Sequence, residues 1–400
     1  MARVDHKRRS ILQGIAGVAA LSAPTIALAQ SDVIDIGVLT PLTGAGGSEG
    51  PLMLAAMQAV ADDINDAGGI LKRPIKLHVQ DGQTNPEAAV RAARKLIDVD
   101  RVAAILGTWA SGVTSAVAPL CWENKVMLMC CSGADSITKL PHEGYIIRTE
   151  PMNNLGARKI AQLTPEIGAK RVYVMSVQAP FAAPTQAGLR KALPDHGVEV
   201  VGTLIYERDM TAYRSEVNMA LKARPDLIFL NGYRPDVMVL IRELYRAGYD
   251  GARLALAYAV DEKVVNALTH DLTDGIYVAG ATGAIGSPSY EAATERLKMQ
   301  TLNSHVAQAY DWMSMTALAI EKTGSATGPA IRDGIRMISQ GQGTKVYSAV
   351  EGLRLLREGT DINYEGASGP CIFDKIGDIT DCSYRLQQIK QGIFNTVKVV

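Results

Sequence analysis

The residue types that usually carry catalysis are present but not arranged for it. The six histidines are scattered, and none is spaced to pair with a nucleophile. There is no His-Glu-x-x-His helix, no Gly-x-Ser-x-Gly elbow and no Gly-Lys-Ser/Thr phosphate loop. A glycine-rich run at 44–50 follows an apolar segment, as a phosphate cradle would, but it lacks the third glycine spacing and the downstream lysine. Neither an enzyme nor a cofactor is expected. What remains is binding chemistry at the ends of short apolar runs. Ser111 follows the run at 102–106 and opens a helical pattern. A serine hydroxyl beside the free N–H groups of a helix start can hold a carboxylate; the same serine can be a plain N-cap. Trp109, two residues earlier, offers a wall for a planar or apolar ligand.

The five cysteines lack the matching His or Cys cluster that a zinc site needs, so no metal is expected. Cys371 and Cys382 flank 373–379, which reads as a hairpin. Pairing Asp374 with Ile379 sets the two cysteines opposite each other and predicts a Cys371–Cys382 disulfide. Cys121, Cys130 and Cys131 leave an odd thiol.

These groups need elements to position them, and the chain supplies α/β units. Short β-branched runs at 33–39, 75–79, 102–106 and 126–129 alternate with helical spacing at 51–64, 86–96 and 113–122. The rhythm breaks near 148–154. It restarts with strands at 172–176, 198–206, 227–230 and 254–256 and helices at 184–193, 213–222 and 236–247. Helical patterns follow at 304–322 and 329–338. Short apolar runs between amphipathic helices mean βαβ units and parallel sheets. The restart predicts two sheets, and ligand sites in such sheets lie beyond the carboxyl ends of the strands.

Composition bounds the partners. The chain has 400 residues, 47% hydrophobic and 20% charged, with 41 basic and 41 acidic side chains. No basic face stands out, so nucleic acid is not an expected partner. At the N-terminus Lys7-Arg8-Arg9 precedes an apolar stretch ending in Ala27-Leu28-Ala29. This is the order of a signal peptide, 1–29, cleaved after Ala29. The stretch is too short for a membrane span, and Arg8-Arg9 also fits a twin-arginine route. Cleavage would leave 37 basic against 40 acidic residues, a net charge of −3. A periplasmic location follows.

Five segments, in order, resemble the leucine/isoleucine/valine-binding protein family of type 1 periplasmic binding proteins. They are Ile36-Gly37-Val38-Leu39-Thr40-Pro41-Leu42-Thr43-Gly44; Asp63-Ile64-Asn65-Asp66-Ala67-Gly68-Gly69-Ile70; Gly107 to Thr114, with Ser111-Gly112-Val113; Asn231-Gly232-Tyr233-Arg234-Pro235; and Phe373-Asp374 with Gly377-Asp378. The resemblance implies two doubly wound Rossmann-like lobes joined by three crossovers. The expected boundaries are 31–149 plus 281–365 for the first lobe and 150–280 plus 366–400 for the second.

The function it implies is capture of a small solute for an ABC transporter permease in the inner membrane, by a monomer. A ligand-sensing module for amides or branched-chain amino acids is the alternative. By resemblance the first-lobe contacts are Glu49, Trp109, Ser111, Ser132 and Gly133, and the second-lobe contacts are Phe181, Tyr233 and Tyr258. The family's second-lobe glutamate for a ligand ammonium has no counterpart in Leu256-Ala257-Tyr258-Ala259. An ammonium left unpaired in a closed cleft is costly. The expected ligand is therefore an organic acid, an aromatic acid or an amide. Glu49, where the family often has an aromatic residue, would bind a cation, amide or hydroxyl, or else be a solvated loop glutamate.

Overall fold

The computed structural model describes residues 32–400, so the expected signal peptide lies outside the described residues. The first sheet contains β1 (Ile34–Thr40), β2 (Ile75–Asp81), β3 (Ala104–Thr108), β4 (Met127–Cys130) and β5 (Ile146–Arg148). All are parallel, in the order β2-β1-β3-β4-β5. The second contains β6 (Arg171–Val177), β7 (Glu199–Tyr206), β8 (Leu227–Asn231), β9 (Ala252–Leu256) and β10 (Ile276–Ala281), in the order β7-β6-β8-β9-β10. The two orders are the same doubly wound pattern, as the restart in the sequence rhythm predicts. A short parallel pair, β11 (Thr344–Val346) with β12 (Ile362–Tyr364), stands apart. An antiparallel hairpin, β13 (Tyr384–Lys390) and β14 (Ile393–Val399), extends the second sheet beside β10.

Helices α1 (Gly50–Asp66), α2 (Pro86–Arg94) and α3 (Ser111–Glu123) belong to the first wind. The second uses α4 (Asn153–Leu163), α5 (Ala182–Ala192), α6 (Arg214–Lys222), α7 (Arg234–Arg246) and the short α8 (Glu262–Ala267) and α9 (His270–Thr273). The chain then returns to the first sheet through α10 (Pro288–Leu297), α11 (Ser304–Thr323), α12 (Gly328–Ser339) and α13 (Ala349–Arg357). Helix α11 is apolar nearly all round. Its residues from His305 to Ile320 are buried, as a helix enclosed by α1, α12 and α13 must be.

Strands β5, β10, β11, β12, β13 and β14 and helices α4, α8, α9, α10 and α13 were not foreseen. β5 has three residues and falls at the break near 148–154, and α4 starts within it. Gly and Ala dilute the signal of β10.

The turn at 373–379 departs from expectation in register. Phe373 pairs with Ile379, and Asp374 N–H donates to Asp378 O at 2.8 Å. The pairing sits one residue short of the expected one, and a one-residue slip sends a side chain to the other face. Cys371 and Cys382 are consequently free thiols, Cys371 buried and Cys382 partly so. Burial pushes the Cys382 thiol up to about 12. The predicted disulfide is not formed.

The same turn packs on the first sheet. Gly377 has φ +88°, and a Cβ there would lie 2.2 Å from Ile146 O. Gly377 O accepts from Arg148 N at 2.8 Å. Residues 377–379 thus rest on β5.

Candidate functional site

In both sheets the order reverses beside the first strand of the wind, which opens a crevice at the strand ends. The loops that leave β1, β3 and β4 face those that leave β6, β8 and β9. Together with the crossovers they enclose a cavity of about 150 Å³. Trp109 comes from the first wind; Phe181, Tyr233 and Tyr258 come from the second. The Trp109 ring centroid lies 5.6 Å from that of Tyr233 and 5.5 Å from that of Tyr258. Phe181 meets Tyr233 edge-on at 5.2 Å. A cavity of this volume takes one six-membered ring, and aromatic walls favour flat or branched apolar groups.

Ser111 is the first residue of α3, and Ala110 before it makes no side-chain cap. Ser111 is therefore not an N-cap. Its Oγ accepts from Ala134 N at 3.1 Å, which leaves the hydroxyl proton free to donate. The first backbone bond of α3 runs from Thr114 N to Ala110 O, so the three amides before it have no helical partner. Gly133 lines the same wall. A Cβ there would stand 1.7 Å from Asn153 Oδ1, and Asn153 is itself tied through Nδ2 to Phe181 O and Thr185 Oγ1. Only glycine fits that approach.

Two expected contacts behave differently. Ser132 does not line the cavity. Its Oγ is bound to Thr114 Oγ1 and to the carbonyls of Thr108 and Trp109, the last at 2.8 Å. It pins the turn that carries Trp109 instead of reaching a ligand. Glu49 lines the cavity but is only 3% exposed, and its oxygens are occupied. Oε2 meets His305 Nδ1 at 3.0 Å and Asn303 Nδ2 at 3.2 Å, and Oε1 meets Arg234 Nη2 at 3.4 Å. Burial opposes its charge, but the His305 hydrogen bond and the charges of His305 and Arg234 prevail and hold the carboxyl below its ordinary value. Burial likewise opposes the charged form of His305, and Glu49 overcomes it and raises the imidazole. Arg234 also binds Asp261 Oδ2 at 2.7 Å. The Glu49–Arg234 pair therefore ties the two winds together across the cavity mouth.

Beneath the ligand loops, Arg148 is fully buried and forks between Asp378 Oδ1, at 2.7 Å, and the carbonyls of Ser132 and Ala134. Thr138 Oγ1 donates to Asp378 Oδ2 at 2.8 Å. The Gly377-Asp378 segment thereby holds the 132–134 loop in place.

A family model described as periplasmic binding protein matches residues 33–392. The chain belongs to the periplasmic binding protein family. Leu/Ile/Val-binding protein BraC3 of Rhizobium johnstonii is 26% identical over 319 residues, 77% of this chain and 85% of that protein. Among solved structures, the branched-chain amino acid transporter substrate binding protein LivJ of Streptococcus pneumoniae, in complex with isoleucine, matches with TM-score 0.78 at 18% identity. It covers 92% of this chain and 99% of that one. A solute binding protein of an ABC transporter from R. palustris, in complex with 4-hydroxybenzoate, matches with TM-score 0.74 at 20% identity, covering 92% and 97%. The type 1 periplasmic binding protein fold is therefore common to all three, while the solutes in those two complexes differ in class.

In this periplasmic binding protein, sequence reasoning missed several cavity residues. Asn303 and His305 come from the start of α11, Asp261 from the loop after β9, and Glu150 from the first crossover. Glu150 and His305 carried a signal, since each is a polar residue at the edge of an apolar segment. Their partners, Gln308 and Glu49, are 158 and 256 residues away in sequence, and no local spacing reveals such pairs.

Proposed function

We propose that this protein is the exported solute-capturing component of an ABC uptake transporter, binding a small organic carboxylate with a flat or branched apolar body. One observation carries the reading: the Ser111 hydroxyl and the open start of α3 share a cavity of about 150 Å³ with four aromatic rings drawn from both winds. The amides and hydroxyl suit a carboxylate, and the rings suit what the carboxylate is attached to. Arg234 is balanced by Asp261 and Glu49, and His305 by Glu49, so neither is free to pair with the acid; Arg385 also lines the cavity. The signal-peptide order at 1–29 supports export, and delivery to an inner-membrane permease follows from the family. The matched complexes with isoleucine and with 4-hydroxybenzoate mark the two chemistries to compare. Calorimetric titration of benzoate, 4-hydroxybenzoate, leucine, isoleucine and valine into the purified mature protein tests the proposal. Saturable binding of at least one acid supports it, and silence across all five refutes it.

A further inference from the structure

Three carboxylates line the cavity: Glu49, Glu150 and Asp261. Glu49 has His305 and Arg234 as partners, and Asp261 has Arg234. Glu150 forms no salt bridge among the described residues, although the charges of His305 and Arg148 act on it from farther off. Its one protein contact is Gln308 Nε2, which donates to Oε2 at 2.7 Å. Burial raises its carboxyl above the ordinary value.

The direction of that contact is fixed from the core outward. Trp312 Nε1 can only donate, and it gives its proton to Thr149 Oγ1 at 2.9 Å. Thr149 then donates to Gln308 Oε1 at 3.2 Å, the nearer of its two acceptors, with Cys130 O at 3.5 Å. With its amide oxygen engaged, Gln308 must turn its NH2 toward Glu150. Trp312, Thr149 and Gln308 are all nearly or fully buried, so the chain is rigid and ends on one oxygen. Oε1 of Glu150 is left without a protein donor in the wall of the cavity. The residue stands on the crossover between Arg148 and Pro151, directly after the strand that Arg148 anchors.

We infer that Glu150 reads a second group on the solute: a hydrogen-bond donor, N–H or O–H, set apart from the carboxylate held at Ser111. This rests on the carboxylate reading above and narrows it. An amine would meet here the acid that Leu256–Ala259 does not offer, from the crossover and not from the second sheet. A hydroxyl would use the same oxygen without adding charge.

Matched pairs of probes test this by calorimetric titration: leucine with 4-methylpentanoate, phenylalanine with 3-phenylpropanoate, and 3- and 4-hydroxybenzoate with benzoate. The first two pairs report on amines and the two hydroxybenzoate pairs on hydroxyls. At least one donor-bearing probe should bind tenfold or more tightly than its donorless partner. Glu150→Gln keeps the shape and can still accept from Gln308, but turns an NH2 toward the cavity. It should collapse that ratio to threefold or less. Ratios below threefold for every pair in the wild type overturn the inference, as does a ratio that survives in Glu150→Gln. The wild-type ratios decide the matter alone if the variant does not fold. If donorless acids bind as well as their partners, only this inference falls; if no carboxylate binds, the carboxylate reading falls with it.

Discussion

Replacing Ser111 by alanine separates a ligand role from a structural one. In the structure the hydroxyl does two jobs. It accepts from Ala134 N at 3.1 Å, and its own proton is free for a ligand oxygen. Loss of the second job removes a hydrogen bond to a charged group, worth about 1.5–3 kcal/mol. At about 1.4 kcal/mol per tenfold, the Kd for the bound carboxylate should rise roughly 10- to 150-fold. Loss of the first leaves the Ala134 amide without its acceptor in a buried loop, at about 1–3 kcal/mol of stability. The Tm of the ligand-free protein should therefore fall as well. Calorimetric titration with benzoate or leucine, whichever binds the wild type, reads the first effect, and scanning calorimetry without ligand reads the second. A lower Tm with a Kd within twofold of wild type would refute the carboxylate grip and leave Ser111 a loop fastener. An unchanged Tm with a weakened Kd would place Ala134 N on another acceptor while preserving the grip.

Trp109 is one of three tryptophans and is packed against Tyr233 and Tyr258; ligand should change the wild-type fluorescence, and Trp109→Phe should abolish most of that change. Asp378→Ala leaves the fully buried Arg148 without its carboxylate, which should cost about 3–5 kcal/mol, read as a lower denaturation midpoint; a loss under 1 kcal/mol would show that the Ser132 and Ala134 carbonyls suffice. Because both Cys371 and Cys382 are free, a thiol assay on denatured, unreduced protein should count five groups, and a count of three would mean that a bridge forms. Stability should depend on pH through Glu49 and His305. Glu49 is depressed from 4.5, so its contribution is present above the ordinary carboxyl value and is lost as pH falls through the lowered one. His305 is raised from 6.5, so its contribution is complete below 6.5 and is lost as pH rises through the raised value. The Tm should therefore peak between these limits, and His305→Gln should flatten the decline on the alkaline side.

The parts of this molecule that were legible in the sequence are those set by local periodicity. The alternation of short β-branched runs with amphipathic helices marks both winds, because a strand buried on both faces must be apolar throughout and its helices must show one apolar stripe. The residues that close those winds were not legible. β5, β10 and the β13–β14 hairpin are identified by their neighbours, not by their own pattern. The cavity divides in the same way. Ser111, Gly133 and the aromatic residues sit where a strand ends, a position visible along the chain. Whether a polar group there is available to a ligand depends on partners far away in sequence. Ser132 looked as available as Ser111, yet its hydroxyl is consumed by the Thr108 and Trp109 carbonyls. Glu49 looked free, yet three residues between 185 and 256 positions away take up its oxygens. Glu150 went unnoticed, yet its Oε1 is left without a protein partner. Binding capacity in such a cleft is a remainder: it is what the protein's own hydrogen bonds leave over. That remainder becomes countable only once the two winds face each other, and here it includes the Ser111 proton and the open amides of α3 on one side, and one Glu150 oxygen on the crossover.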